Sequence, residues 1–126
     1  MRILVCEDQD AIRHMIQTLV SASGHEVVGV ALGAQAVELA LGEHFDVLLL
    51  DLMLPGALDG FAVCERIRGE KTVEQLAIFV ISAMDDPESR RRVLASGATA
   101  FYAKPFRPLE LLENINALGR ARAAAR

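Results

Sequence analysis

At 126 residues, with 52% hydrophobic and 24% charged side chains, the chain is long enough to bury one core and too apolar to be disordered. A formal net charge of −4 gives no general case for nucleic-acid binding, and no apolar run approaches the ~20 residues that a bilayer-spanning helix needs. Met1-Arg2 leads into an apolar run without a signal-peptide pattern, and Cys6 and Cys64 form no CxxC pair, so the expectation is a cytoplasmic protein with buried free thiols.

Ile3–Cys6 reads as a first strand and runs into Glu7-Asp8. Ile12, Met15, Ile16, Leu19 and Val20 then share one helical stripe, closed by Gly24. Glu26–Val30 is a second strand, followed by a weaker stripe of Ala36, Val37, Ala40 and Leu41. Val47–Leu50 is a third strand that ends at Asp51, and its unbroken apolar run suits a parallel strand covered on both faces. Phe61, Cys64 and Ile67 mark a third helix with Asp59 as its N-cap. Ala77–Ile81 is a fourth strand, ending at Ser82. Asp86-Pro87 places a cap residue and a first-turn proline at the start of a fourth helix, which Gly97 closes. Ala100–Tyr102 is a fifth strand before Lys104-Pro105, and Pro108 starts a fifth helix carrying Leu111, Leu112, Ile115 and Leu118.

Five strand–helix units of this kind predict an α/β fold, a doubly wound parallel sheet of five strands. Residues 1–119 form the expected domain, and the basic, small-residue stretch 120–126 is either the end of the last helix or the start of a linker. In an open parallel sheet, ligands bind beyond the carboxyl ends of the strands. Glu7, Asp8 and Asp51 all fall there, where three carboxylates would repel one another without a cation among them. The residues therefore predict an acidic metal site with a hydroxyl (Ser82) and an ammonium (Lys104) aimed at it.

Glu7-Asp8, Asp51, Ser82 and Lys104-Pro105, in that order and on successive strand ends, resemble the receiver domain of two-component response regulators from Arg2 to about Leu118. That resemblance implies a chemotaxis-regulator-like, flavodoxin-like (βα)5 fold with strand order 2-1-3-4-5. It implies that Asp51 accepts a phosphoryl group from a sensor histidine kinase or phosphotransfer protein. It also implies that Glu7, Asp8, Asp51 and the backbone carbonyl of Met53 hold Mg²⁺. Ser82 and Lys104 would bind the phosphoryl group, Ala83 would leave access to it, and Lys104-Pro105 would be a cis peptide. The aromatic switch residue, three positions before the lysine, is Phe101; Tyr102 alternates to the other side of the strand. Met53 and Met84 stand at the positions that tune phosphoryl lifetime in the family, and their bulk predicts slow autodephosphorylation. The downstream partner would bind the face of the fourth helix, fifth strand and fifth helix, with a phosphorylation-dependent dimer as a further expectation and no direct nucleic-acid or membrane contact. One departure is the stretch Pro55-Gly56-Ala57-Leu58-Asp59-Gly60, one residue longer than the family's loop.

Taken singly, Glu7-Asp8 reads as a turn, Ser82 as a strand-end hydroxyl and Lys104 as a surface charge; their shared placement carries the metal reading. Phe61, Phe79, Met15 and Cys64 are expected in the core, and His14, His25 and His44 on the surface. Arg90-Arg91-Arg92 is a solvated helix face or a partner-facing patch. Three alternatives stand beside a complete single-domain regulator. The chain could be the receiver part of a larger regulator with its own output domain, or a pseudo-receiver that binds without being phosphorylated. It could also be a phosphate-ester hydrolase with Asp51 as nucleophile, although Met53 stands where such an enzyme needs a second carboxylate. Beyond self-phosphotransfer and autodephosphorylation, no enzyme activity is expected.

Overall fold

The computed structural model describes residues 1–73 and 75–125. Five strands, β1 (Arg2–Cys6), β2 (Glu26–Val30), β3 (Val47–Leu50), β4 (Ala77–Ser82) and β5 (Ala100–Ala103), alternate with five helices. These are α1 (Asp10–Ala22), α2 (Gly33–Gly42), α3 (Gly60–Arg68), α4 (Pro87–Ala95) and α5 (Pro108–Ala124), with a short 3-10 turn at Lys71–Val73. The strands pair in parallel in the order β2-β1-β3-β4-β5, the doubly wound arrangement that the alternating pattern predicts.

Alternation along the buried strands divides the core in two. Leu4, Cys6, Leu48, Leu50, Ile78 and Val80 point to one face, where Ala36, Val37, Phe61, Cys64, Ile67 and Val93 of α2, α3 and α4 cover them. Ile3, Val5, Val47, Leu49, Phe79 and Ile81 point to the other, against Ile16 and Val20 of α1 and Leu111 and Ile115 of α5. The rule also separates the neighbours on β5: Phe101 packs with the first group and Tyr102 with the second, its ring tilted at 5.8 Å from Phe79.

The helix boundaries follow the expected caps. Asp59 accepts a hydrogen bond from the Ala62 amide (2.9 Å) and Asp86 from the Ser89 amide (3.1 Å), and Gly24 and Gly97 stand just past the ends of α1 and α4. Two details differ from the sequence expectation. Met15 is 41% exposed, because the buried line of α1 runs through Ile16 and Val20 and leaves Met15 on its shoulder. His25 is half-buried and not a surface residue: Nδ1 lies 3.0 Å from the Met1 amine and Nε2 2.7 Å from Asn116 Oδ1, which joins the start of β2 to α5. The basic stretch is helical through Ala124, and Arg122 donates to the carbonyls of Asp46 (3.1 Å) and Gln75, fastening α5 to the amino-terminal edge of the sheet. Arg126 lies outside the described residues. Among the described residues, no helix is long and apolar enough to cross a membrane.

Candidate phosphoacceptor and metal site

Strand register brings the chemistry together. Cys6 pairs with Leu50, Leu50 with Val80, and Ser82 with Ala103, so the residues that follow each strand emerge side by side. The backbone continues this ladder past the strand ends: the Asp51 amide donates to the Cys6 carbonyl (3.1 Å) and the Lys104 amide to the Ser82 carbonyl (2.9 Å). Carboxylate oxygens of Glu7, Asp8 and Asp51 all lie within 4.8 Å of one another. Glu7 and Asp51 are almost fully buried, at 3% and 6% exposure.

Lys104 Nζ bridges two of the three, donating to Glu7 Oε1 (2.6 Å) and Asp51 Oδ2 (3.2 Å). Burial pulls the lysine's pKa down, but the Glu7 hydrogen bond and the Asp51 charge outweigh it and hold it above its ordinary value. The remaining oxygens are fixed by backbone: the Gln9 amide donates to Glu7 Oε2 and the Met53 amide to Asp51 Oδ1, both at 3.2 Å. Asp8 has its pKa raised by desolvation and by the hydrogen bond and charge of neighbouring Glu7. The Cys6 thiol just beneath is pushed up to about 12 by burial and by the same carboxylates, which leaves it an unreactive thiol.

Asp8, Gln9, Asp51, Met53, Ala83 and Lys104 line a cavity of about 290 Å³. Ser82 is fully buried, and its hydroxyl accepts a hydrogen bond from the Met84 amide (3.1 Å). Small Ala83, not Ser82, faces the cavity in this conformation. Lys104-Pro105 is cis. The donor set for a cation is three carboxylates, which fits a hard, oxygen-seeking ion such as Mg²⁺. Desolvation first, and then the hydrogen bond and charge of Glu7, make the ionised form of Asp8 less favourable, and a bound cation would favour it again.

The longer loop closes without disturbing this arrangement. Gly56 takes the turn at φ +90°, a conformation that side chains rarely adopt. Leu58 tucks against the core, and the Gly60 amide donates to the Leu52 carbonyl at 2.9 Å. A Cβ on Gly60 would stand 2.4 Å from both the Asp51 carbonyl oxygen and Leu52 Cα, so the absence of a side chain there lets α3 seat directly on the backbone of Asp51.

Two arginines of the run at residues 90–92 are engaged by aromatic faces. Arg90 lies 4.7 Å from the ring centre of Phe101 and donates Nε to the Asp85 carbonyl (3.1 Å), while Arg92 lies 3.9 Å from that of Phe61. Beside the site, Met53 (58% exposed), Met84 (36%), Leu54, Phe61 and Arg92 border a cleft of about 490 Å³. Sequence reasoning missed one residue that touches the site's framework: Arg13. Its guanidinium donates to the Glu7 carbonyl (2.9 Å) and to Asp10 Oδ1 (2.6 Å). The i,i+3 spacing of Asp10 and Arg13 was the available signal, but it marks an ordinary helix-surface pair as often as a brace.

Comparison with known proteins concerns the whole chain and its fold. Residues 3–116 match the response regulator receiver domain family. Over 119 residues the chain is 36% identical to a probable transcriptional regulator, ycf27, of Porphyridium aerugineum, covering 94% of this chain and 48% of that protein. It is 37% identical to the response regulator MprA of Mycobacterium tuberculosis, covering 94% of this chain and 50% of that one. The chain thus spans about half the length of the curated relatives it matches. Among solved structures, the receiver domain of the Francisella response regulator 1452 superposes with a TM-score of 0.88 at 27% identity, covering 96% of this chain and 98% of that one.

Proposed function

This chain belongs to the response regulator receiver family, and from that premise we propose that it is a phosphorylation-controlled switch whose acceptor is Asp51. The observation that carries the reading is the buried Asp51 carboxylate, held between Glu7, Asp8 and Lys104 at the floor of a cavity large enough for a phosphoryl group. A carboxylate oxygen of Asp51 attacks phosphorus in a phosphohistidine donor; an O–P bond forms, the donor's N–P bond breaks, and the electron pair returns to the imidazole. The donor is a sensor histidine kinase or a phosphotransfer protein. Glu7, Asp8, Asp51 and the Met53 carbonyl are the residues that would hold Mg²⁺, which when bound offsets charge on the transferring oxygens.

The rest of the work falls to the chain itself. Lys104 is already within hydrogen-bond distance of Asp51 and can follow the added charge onto a phosphoryl oxygen. Ser82, whose hydroxyl accepts from the Met84 amide and is buried away from the cavity, must turn outward to donate its O–H to that group, which moves the segment after β4. The same segment is tied through the Asp85 carbonyl to Arg90, and Arg90 rests on Phe101, so the movement reaches the switch aromatic. A phosphoryl group shifts the population only by its preference for the moved state over the resting one. The output is altered binding of a protein partner on the face formed by α4, β5 and α5. We place the receiver unit at residues 1–119.

The test is addition of beryllofluoride with Mg²⁺, followed by amide chemical shifts. Wild type should respond at Asp51, Ser82, Met84 and Phe101 and Asp51→Asn should not; equal responses from both proteins would sink the reading. A second reading, that these residues are the receiver portion of a longer regulator, is favoured by the roughly half coverage of the relatives. The full reading frame of the gene decides between the two.

A further inference from the structure

Arg13 is more than a surface residue of α1. Only 15% of its side chain is exposed, although its carboxylate partner Asp10 is 80% exposed. One arm of the guanidinium reaches the backbone carbonyl of Glu7 and the other the Asp10 carboxylate, so the residue spans from the end of β1 to the first turn of α1. The turn that starts at the first anchor, Glu7, and runs through Asp8 and Gln9 to the second supplies two of the three carboxylates and the amide fixing Glu7 Oε2. A planar guanidinium with donors in a rigid fork can hold both ends of such a segment, and a lysine ammonium on a flexible stem holds the geometry less well.

We propose that Arg13 is a positioning residue for the metal site: by bracing the Glu7–Asp10 turn it sets the direction of the Glu7 and Asp8 carboxylates and thereby the affinity for Mg²⁺. The proposal rests on the receiver reading above, since it concerns the same acidic cluster.

Geometry and charge make opposite predictions here. Arg13 is a cation near three carboxylates, so its removal leaves the site more negative, and simple Coulomb attraction would then bind a divalent cation more tightly. Loss of a brace acts the other way. Residues that orient metal ligands from behind cost roughly 10–100-fold in affinity when they are replaced. A fall in affinity on removing a positive charge therefore identifies positioning.

The experiment is a calorimetric Mg²⁺ titration at fixed ionic strength of wild type, Arg13→Gln and Arg13→Lys, with thermal melts in parallel. Arg13→Gln should bind Mg²⁺ about 10-fold or more weakly, and Arg13→Lys, which keeps the charge but not the fork, should fall between the two. A purely structural role would lower the melting temperature and leave Mg²⁺ affinity unchanged. Arg13→Gln binding as tightly as wild type, or more tightly, overturns the proposal. Should Arg13→Gln fail to fold, Arg13→Lys is judged by the same criterion. Failure of the wild-type protein to bind Mg²⁺ would refute the metal reading itself and is distinguishable from failure of the Arg13 variants to differ.

Discussion

Replacing Gly60 by alanine tests how closely the third helix must sit on the phosphoacceptor. The new Cβ would lie 2.4 Å from the Asp51 carbonyl oxygen, 2.4 Å from Leu52 Cα and 3.0 Å from the Asp51 carbonyl carbon, against 3.4 Å or more for ordinary contact. All three atoms are backbone, so no side chain can swing away, and the first turn of α3 must withdraw by about 1 Å. Overpacking of this kind costs roughly 1–3 kcal/mol. Stretching the 2.9 Å bond from the Gly60 amide to the Leu52 carbonyl adds about 1 kcal/mol. Alanine's better helix propensity returns at most about 1 kcal/mol. The balance is a loss of roughly 1–3 kcal/mol, read as a lower urea midpoint at unchanged slope. Gly42→Ala is the control: nothing lies within 4 Å of its Cβ position, and its stability should stay within about 0.5 kcal/mol of wild type. A Gly60→Ala protein as stable as the control would refute the argument from close approach.

Three other outcomes follow from the site and its supports. In Lys104→Met, Glu7 and Asp51 lose their cation, and the stability difference from wild type should be constant at neutral pH. Because the folded lysine titrates above its ordinary 10.5, that difference should shrink as pH rises past the ordinary value, which urea melts between about pH 8 and pH 11 would show. Mg²⁺ should stabilise wild type by about 2.7 kcal/mol at a hundredfold excess over its dissociation constant, and Asp8→Asn should need far more metal for the same gain. Arg122→Ala should leave global stability nearly unchanged while amide exchange quickens at residues 119–124, because the helix end loses its hold on the Asp46 and Gln75 carbonyls.

The fold was legible because each buried strand announces itself twice, as an apolar run and by the functional group that ends it. Val47–Leu50 matches its strand residue for residue, and Asp59, Asp86 and Gly97 fix helix ends through local chemistry that needs no tertiary information. Alternation alone was enough to put Phe101 and Tyr102 on opposite faces. Where two residues compete for one helical stripe, periodicity lacks resolution: Met15 and Ile16 both fit, and only the packing of α1 against the sheet buries the second. Contacts between distant elements left no trace in the pattern. His25 reaches Asn116 across 91 positions, and Arg122 reaches Asp46 across 76. Nor did the sequence show that Ser82 begins buried beneath the Met84 amide, or that Arg13 braces the turn bearing Glu7 and Asp8, since both depend on where short segments turn after a strand ends.

The most direct test of the account is to incubate the protein with acetyl phosphate and Mg²⁺ and to locate the added phosphoryl group by peptide mass mapping. The account predicts one phosphoryl group, on the peptide containing Asp51, dependent on Mg²⁺ and absent from Asp51→Asn. A phosphoryl group on another residue, or undiminished labelling of Asp51→Asn, would contradict it.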